Sequence, residues 1–158
     1  MRESARRDTL LMNFKLEVAV IPVADVDRAK SFYERLGWRL DADFSADDGF
    51  RVIQFTPPGS ECSIIFGAGV TSATPPGTQH LYLVVTDILA ARADIAGRGV
   101  DISEVFHDAG GVFHHAGTKD RVSGPDPART DYSSLATFSD PDGNTWFLQE
   151  INVRLPGR

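Results

Sequence analysis

The side chains best suited to bind a metal ion are four histidines, all in the second half of the chain. They are His80, His107, His114 and His115. Imidazole nitrogen is a common ligand of zinc and other divalent ions, so His80 and the other three could form a metal site. They lack the regular ligand spacing of structural zinc sites, which favours the plainer interpretation of a hydrogen-bonded pocket histidine and ordinary polar loop residues.

Few other reactive arrangements are present. The single cysteine, Cys62, has no histidine or basic neighbour in sequence, and the chain contains no phosphate-binding glycine loop, nucleophile elbow or cysteine-pair metal motif. The net charge is -6, with acidic residues spread along the chain, which argues against a nucleic-acid or anionic-membrane surface and leaves cationic small molecules electrostatically acceptable. With no long apolar run, these features predict a cytoplasmic protein that binds neither nucleic acid nor membrane.

The elements that position these side chains come from an internal duplication. Residues 18–37 align without a gap on residues 80–99, at a spacing of 62 residues. Each copy predicts a strand, an acidic helix cap, a helix and a glycine that ends the helix. The equivalent caps and stops are Asp25 with Asp87 and Gly37 with Gly99.

Strand-like segments follow each glycine, separated by turn signals such as the Asp-Pro-Asp-Gly-Asn run at 140–144. The segments are 38–44, 50–56 and 62–66 in the first half, then 100–106, 135–139 and 145–151 in the second. We therefore predict an N-terminal extension (1–13), one domain (14–153) with modules 14–66 and 79–153, a linker (67–78), a lid-like insertion (107–130) and a tail (154–158).

Three segments in this order, LEVAVIPVADVDRAKSFYERLGW, HLYLVVTDILAARADIAGRGV and FSDPDGNTWFLQE, resemble the module starts and final hairpin of the vicinal oxygen chelate superfamily. This superfamily contains glyoxalases, bleomycin-resistance proteins and extradiol dioxygenases. The resemblance implies an α+β fold of two tandem βαβββ modules. They would form a cup-shaped, mostly antiparallel eight-stranded sheet with helices on its outer face, often completed as a homodimer.

In metal-dependent members of the superfamily, the first and last strand of each module supply one ligand each. Carried over to this chain, those positions are Val18, Ser63, His80 and Phe147. Neither valine nor phenylalanine has a lone pair to donate, so we expect no metal cofactor at this site. His80 and Glu150 remain the weak candidates for a divalent ion, the latter only if a register shift turns it inward.

Side chains that share the cup face of the strands are the candidates for binding a small molecule, because alternate strand residues point to the same side. Phe113 and His114 join them from the lid-like insertion, where Gly110 and Gly111 could act as a hinge. The predicted ligand-binding residues are Val18, Val20, Ser63, Ile65, His80, Tyr82, Phe113, His114, Phe147 and Gln149. Their mixture of apolar and polar groups is typical of a small-molecule site, although the aliphatic members could equally fill core space.

Three functions are compatible with this sequence. The first is a superfamily member that binds a small, partly apolar molecule without a metal. The second is a divalent-metal-dependent enzyme, a glyoxalase-type lyase, an isomerase or a dioxygenase, that uses His80 with a loop histidine or Glu150. The third is an interaction module without a ligand.

Overall fold

The computed structural model describes residues 12–76, 80–110 and 118–156. Two helices and nine strands form this part of the chain, and they alternate as expected for two similar modules. The elements are β1 (Val18–Val20), α1 (Val26–Arg35), β2 (Arg39–Ser45), β3 (Arg51–Thr56), β4 (Ser63–Ala68), β5 (Leu81–Val85), α2 (Ile88–Gly97), β6 (Phe106–Asp108), β7 (Arg121–Ser123), β8 (Leu135–Ser139) and β9 (Thr145–Glu150).

Both helices begin at the predicted aspartates. The Asp25 carboxylate accepts a hydrogen bond from the Arg28 amide at 3.0 Å, and Asp87 accepts one from the Ala90 amide at 3.1 Å. Each bond satisfies an amide that the first helical turn leaves without a partner. Just beyond the two helices, Gly37 and Gly99 adopt the left-handed backbone, with φ of 77° and 81°, which reverses the chain as predicted.

The strands form two sheets, one from each module. The first has the order β1-β4-β3-β2, and the second has the order β5-β9-β8-β6-β7. The pairs β1/β4 and β5/β9 are parallel, and the remaining pairs are antiparallel. The fold class is therefore α+β as predicted, and the strands pair as a four-stranded and a five-stranded sheet, because each module pairs its strands within itself.

Part of the predicted lid-like insertion is regular structure. β6 and β7 pair as an antiparallel hairpin, with His107 opposite Val122, and Phe106 of β6 pairs with Leu135 of β8. The segment 100–106, predicted as a strand, contributes only an isolated bridge at Ile102 and the first residue of β6. Strands this short carry too little alternation to be recognised in the sequence.

The predicted boundaries differ in detail from the elements. β4 continues two residues into the predicted linker, to Ala68. Residues 1–11, 77–79, 111–117 and 157–158 lie outside the described residues, and they include Phe113, His114 and His115 from the predicted insertion. Within the described residues, no helix is long and apolar enough to cross a membrane.

One apolar core joins the two modules. The helix-facing residues of both sheets belong to a single buried cluster with α1, α2 and the segment that contains Trp38. Phe32 of α1 contacts Phe138 of the second sheet, with ring centroids 6.4 Å apart. Each sheet therefore uses one face for the common core, and we call the opposite faces the first and second open face. The first belongs to β1–β4 and the second to β5–β9.

A buried polar network also links the modules. The Tyr33 hydroxyl of α1 donates to the Asp140 carboxylate at 2.7 Å and accepts from the Trp146 indole N–H at 3.1 Å. In the same turn, Asn144 donates through its side-chain amide to the carbonyl of Pro22, at 3.0 Å. Burial and the adjacent Asp140 raise the pKa of Tyr33 well above its usual value, so the hydroxyl keeps its proton as a donor.

Candidate functional site

The first open face carries four of the predicted ligand-binding residues. Val18 lies opposite Ser63, and Val20 lies opposite Ile65, as Cα partners in the parallel β1/β4 pair. The Ser63 hydroxyl is buried and lies 2.7 Å from the hydroxyl of Thr56 on β3. This face thus combines aliphatic side chains with a small polar group that is already hydrogen-bonded within the sheet.

The second open face carries a stack of aromatic rings. Tyr82 and Phe147 are Cα partners in the β5/β9 pair, and their rings are nearly parallel with centroids 5.0 Å apart. His80 immediately precedes β5, and its ring lies 5.3 Å from that of Phe147 at an interplanar angle of 16°. The φ of His80 is 64°, in the left-handed region that residues other than glycine rarely adopt. The stacked ring of His80 is therefore held by a strained backbone conformation.

The stack continues into a separate apolar cluster. Phe147 packs with Phe106 and Leu135, and the partly buried Tyr82 packs against this group. Phe106, Leu135 and Phe147 are each less than one tenth exposed. Burial raises the pKa of Tyr82, which keeps its hydroxyl neutral at ordinary pH. The second open face is therefore apolar and aromatic across β5, β9, β8 and β6.

Gln149 gives the second open face a fixed polar group. Its side chain is buried and donates a hydrogen bond to the carbonyl of Tyr132 at 2.9 Å. Tyr132, with a φ of 74°, also donates its amide to the Glu150 carbonyl, so the segment before β8 lies against the end of β9. The predicted polar contact from Gln149 is thus directed towards the protein itself, which fixes the amide in one orientation.

The four positions implied by the resemblance do not fit a metal ion. They fall into two groups, Val18 beside Ser63 and His80 beside Phe147, on different sheets. Of these side chains only that of His80 has a strong donor atom for a divalent ion. Among the described residues, no group of three or more His, Cys, Asp or Glu side chains is arranged to hold one.

Glu150 belongs to the other side of the second sheet. Its carboxylate accepts hydrogen bonds from Arg129 Nε at 2.9 Å, from Arg129 Nη2 at 2.6 Å and from the Ile88 amide at 2.8 Å. Arg129 holds the pKa of Glu150 below its usual value despite burial. This carboxylate therefore acts at the start of α2, on the face opposite His80, and the two weak metal candidates do not converge.

A groove of about 450 Å³ follows the unpaired edge of β5. It lies between that edge, α2 and the turn 57–60, and its lining includes Trp38, Val85, Ile95 and Arg98. Of the predicted ligand-binding residues that the structure describes, Tyr82 alone belongs to this lining. Tyr82 therefore lies where the groove meets the second open face.

The described members of the predicted ligand-binding set thus lie on two sheets, Val18, Val20, Ser63 and Ile65 on the first and His80, Tyr82, Phe147 and Gln149 on or beside the second. Among the described residues, no hydrogen bond or ring contact joins the Val18 group to the Tyr82 group. Sequence reasoning also missed Phe106 and Leu135 of the aromatic cluster, and Arg121, whose guanidinium lies 4.0 Å from the centroid of the Phe106 ring. The alternation within 135–139 could have indicated Leu135, whereas three-residue strands give no comparable signal.

Comparison with known proteins identifies relatives that match most of the chain. The family model for the Glyoxalase/Bleomycin resistance protein/Dioxygenase superfamily matches residues 15–148. Among solved structures, TnmS3, an antibiotic binding protein from Streptomyces sp. CB03234, is 26% identical, with a TM-score of 0.63 over 90% of this chain and 99% of that chain.

Two further structures are similar to a comparable degree. A glyoxalase/bleomycin resistance protein from the same Streptomyces is 28% identical, with a TM-score of 0.60 over 86% of this chain and 100% of that chain. A superfamily member from Sphaerobacter thermophilus DSM 20745 is 26% identical, with a TM-score of 0.62 over 89% of this chain and 99% of that chain. No curated protein matches the sequence.

Proposed function

Because the chain belongs to the glyoxalase/bleomycin resistance protein/dioxygenase superfamily, we propose that it binds a small, partly apolar molecule against the second open face, without a metal ion. The observation that supports this proposal is the aromatic cluster of Tyr82, Phe147, Leu135 and Phe106. It lies on the sheet face opposite the common core. A sheet that buries one face in a core usually presents polar residues on the other.

The make-up of this face suits a flat organic ligand. Tyr82 is half-buried with a neutral hydroxyl, so it is the accessible member of a cluster whose other members, Phe106, Leu135 and Phe147, are each less than one tenth exposed. An apolar surface with few polar groups is the usual composition of a small-molecule site. The similarity to TnmS3, which is an antibiotic binding protein, supports the same general property of binding a small organic molecule.

The donor set favours binding over metal-dependent chemistry. A lyase, isomerase or dioxygenase of this superfamily would need at least three ligands around one ion. Val18 and Phe147 cannot supply any, and the Glu150 carboxylate is bound to Arg129 on the opposite face. His80 is therefore assigned to the aromatic stack, where its ring lies against Phe147.

The test is a titration with a neutral fused aromatic probe, naphthalene-2-methanol, followed by isothermal calorimetry. We expect saturable binding that Tyr82→Ala weakens about tenfold, because the variant loses the stacking contribution of one ring. Leu89→Ala is the matched control, since Leu89 is a half-exposed apolar residue on α2. Absence of binding to the wild-type protein, or equal affinity in both variants, would contradict the proposal and favour an interaction module.

We also propose that the protein forms a homodimer that covers the first open face. Val20 and Phe44 on this face are 45% and 59% exposed. They lie on β1 and β2, the two edge strands, so exposed apolar side chains border this face on both sides, which supports an interface that covers it. Light scattering coupled to size-exclusion chromatography should give twice the chain mass, and Phe44→Glu should reduce it to that of one chain. A wild-type protein that stays monomeric at high concentration would refute this part of the proposal.

A further inference from the structure

Arg121 is a cation placed on the aromatic side of the second sheet. Arg121 lies on β7 and is the Cα partner of Asp108 on β6. Asp108 follows Phe106 by two residues, so these two side chains point to the same side of β6. The side chains of Arg121 and Phe106 therefore share the second open face. The guanidinium carbon lies 4.0 Å from the centroid of the Phe106 ring, a cation–π contact. Phe106 belongs to the same cluster as Leu135 and Phe147, which makes Arg121 the polar end of one continuous aromatic strip.

The guanidinium has no anionic partner in the part of the chain that is described. None of the ion pairs between described residues includes Arg121, and its side chain takes part in none of their hydrogen bonds. In contrast, Arg51 and Arg129 each bind a carboxylate through two nitrogens. Arg121 is half-buried, and this loss of water lowers its pKa. A partly desolvated guanidinium that keeps its charge favours an anion within reach of its N–H groups.

From this geometry we infer that Arg121 binds an anionic group of the ligand, so that the ligand is a flat aromatic acid, such as a carboxylate or a phenolate. The inference rests on the proposed function and specifies its ligand class. Phe106 and Phe147 are each less than one tenth exposed and pack together with Leu135. The ligand would therefore lie over this strip and place its acidic group at the half-buried guanidinium of Arg121.

The overall charge of the protein makes this inference specific. At a net charge of -6, the average field of the chain repels anions, so a local cation or hydrogen-bond donor is needed for an acid to bind better than its neutral analogue. A preference for the acid would therefore report a contact with a particular side chain. An aromatic cluster without such a contact would prefer the neutral compound, or a cationic one.

The experiment compares 2-naphthoate with naphthalene-2-methanol, which share the ring system and differ in charge. Isothermal calorimetry should show that wild-type protein binds the acid at least tenfold more tightly than the alcohol. Arg121→Met should abolish this preference while the alcohol binds as before, and Arg121→Lys should retain part of it because lysine keeps the charge but loses the planar pair of donors. Arg39→Met, which removes an exposed arginine of the first sheet, is the control and should retain the full preference.

The outcomes separate the inference from the proposed function. If wild-type protein binds the alcohol as tightly as the acid, the anion contact is refuted and the aromatic binding face stands. If Arg121→Met keeps the preference for the acid, another group binds the anion and the inference is wrong. If neither compound binds wild-type protein, the inference and the proposed function both fail. The wild-type comparison decides the inference even if Arg121→Met does not fold.

Discussion

Replacing Glu150 by glutamine tests how the second helix is held on its sheet. The Glu150 carboxylate is 2% exposed, and its three hydrogen bonds come from both nitrogens of the Arg129 fork and from the Ile88 amide at the start of α2. The amide of glutamine has the same shape but no charge, and one of its two terminal atoms is a donor that faces other donors. Glu150→Gln therefore removes the charge and leaves one donor–donor contact in a buried place.

The magnitude follows from the number and kind of bonds lost. A hydrogen bond to a charged group contributes about 1.5–3 kcal/mol, and the remaining amide oxygen can keep one bond of ordinary strength. Because the arginine partner is 40% exposed and partly solvated, the lower end of this range applies. We expect the free energy of unfolding to fall by about 2 kcal/mol, which corresponds to a decrease in Tm of about 6 °C for a chain of this length.

Urea unfolding followed by fluorescence measures the change, and Asp94→Asn is the matched control. Asp94 pairs with Arg98, which is 41% exposed, but the Asp94 carboxylate is itself 62% exposed. That pair should contribute less than about 0.5 kcal/mol. Equal effects of the two substitutions would show that burial of the Glu150 carboxylate does not strengthen its bonds, and the stabilising role of the buried Glu150–Arg129 pair would be refuted.

The pH dependence gives an independent check on the same group. Arg129 lowers the pKa of Glu150 in the folded protein, so the unfolded chain takes up the proton first as the pH falls. The contribution of Glu150 is therefore complete above the unfolded pKa of about 4.3 and is lost as the pH falls through the lower, folded value. The difference between wild type and Glu150→Gln should be constant from about pH 6 to 8 and shrink below about pH 4. A constant difference down to about pH 3 would contradict the assignment of this pKa shift to Glu150.

Three further substitutions test the packing of a sheet, the packing of α2 and the link between modules. A Cβ on Gly67 would clash with the Arg51 carbonyl oxygen, so Gly67→Ala should lower the free energy of unfolding by about 1–3 kcal/mol. A Cβ on Gly97 of α2 would lie in open space, so Gly97→Ala should raise the free energy of unfolding by up to about 1 kcal/mol. Tyr33→Phe removes the hydroxyl that joins α1 to Asp140 and Trp146 of the second module and should cost about 1–3 kcal/mol. Urea unfolding measures all three, and a cost below about 0.5 kcal/mol for Gly67→Ala or Tyr33→Phe would contradict the corresponding contact.

The features that the sequence predicted correctly are local ones. Asp25 and Asp87 cap their helices through amides three residues ahead, and Gly37 supplies a backbone conformation that few other residues adopt. The grouping of Tyr82 with Phe147 followed from the two-residue period of strands, which fixes the face of a residue once the register is known. Each of these predictions depends on geometry within a few residues or within one strand pair.

The features that the sequence did not predict depend on distant contacts or on very short elements. Arg129 reaches Glu150 across 21 residues, and Glu150 reaches the Ile88 amide across 62. Arg121 lies on a strand of three residues, in which no alternation can be recognised. The alternation that groups side chains by face also does not say whether the open faces of two sheets line the same cleft.

The final hairpin, β8 and β9, explains why the duplicated modules fold as one unit. In the turn 140–144, the Asp142 carboxylate accepts hydrogen bonds from the Ala24 amide and from Arg28, both at 2.9 Å, at the start of α1. At the end of β9, Glu150 binds the Ile88 amide at the start of α2. One hairpin thus supplies a carboxylate to the N-terminus of each helix, where negative charge is favourable. Phe147 projects from the same hairpin onto the second open face, so the contacts that join the modules also fix the ring on which Tyr82 is stacked.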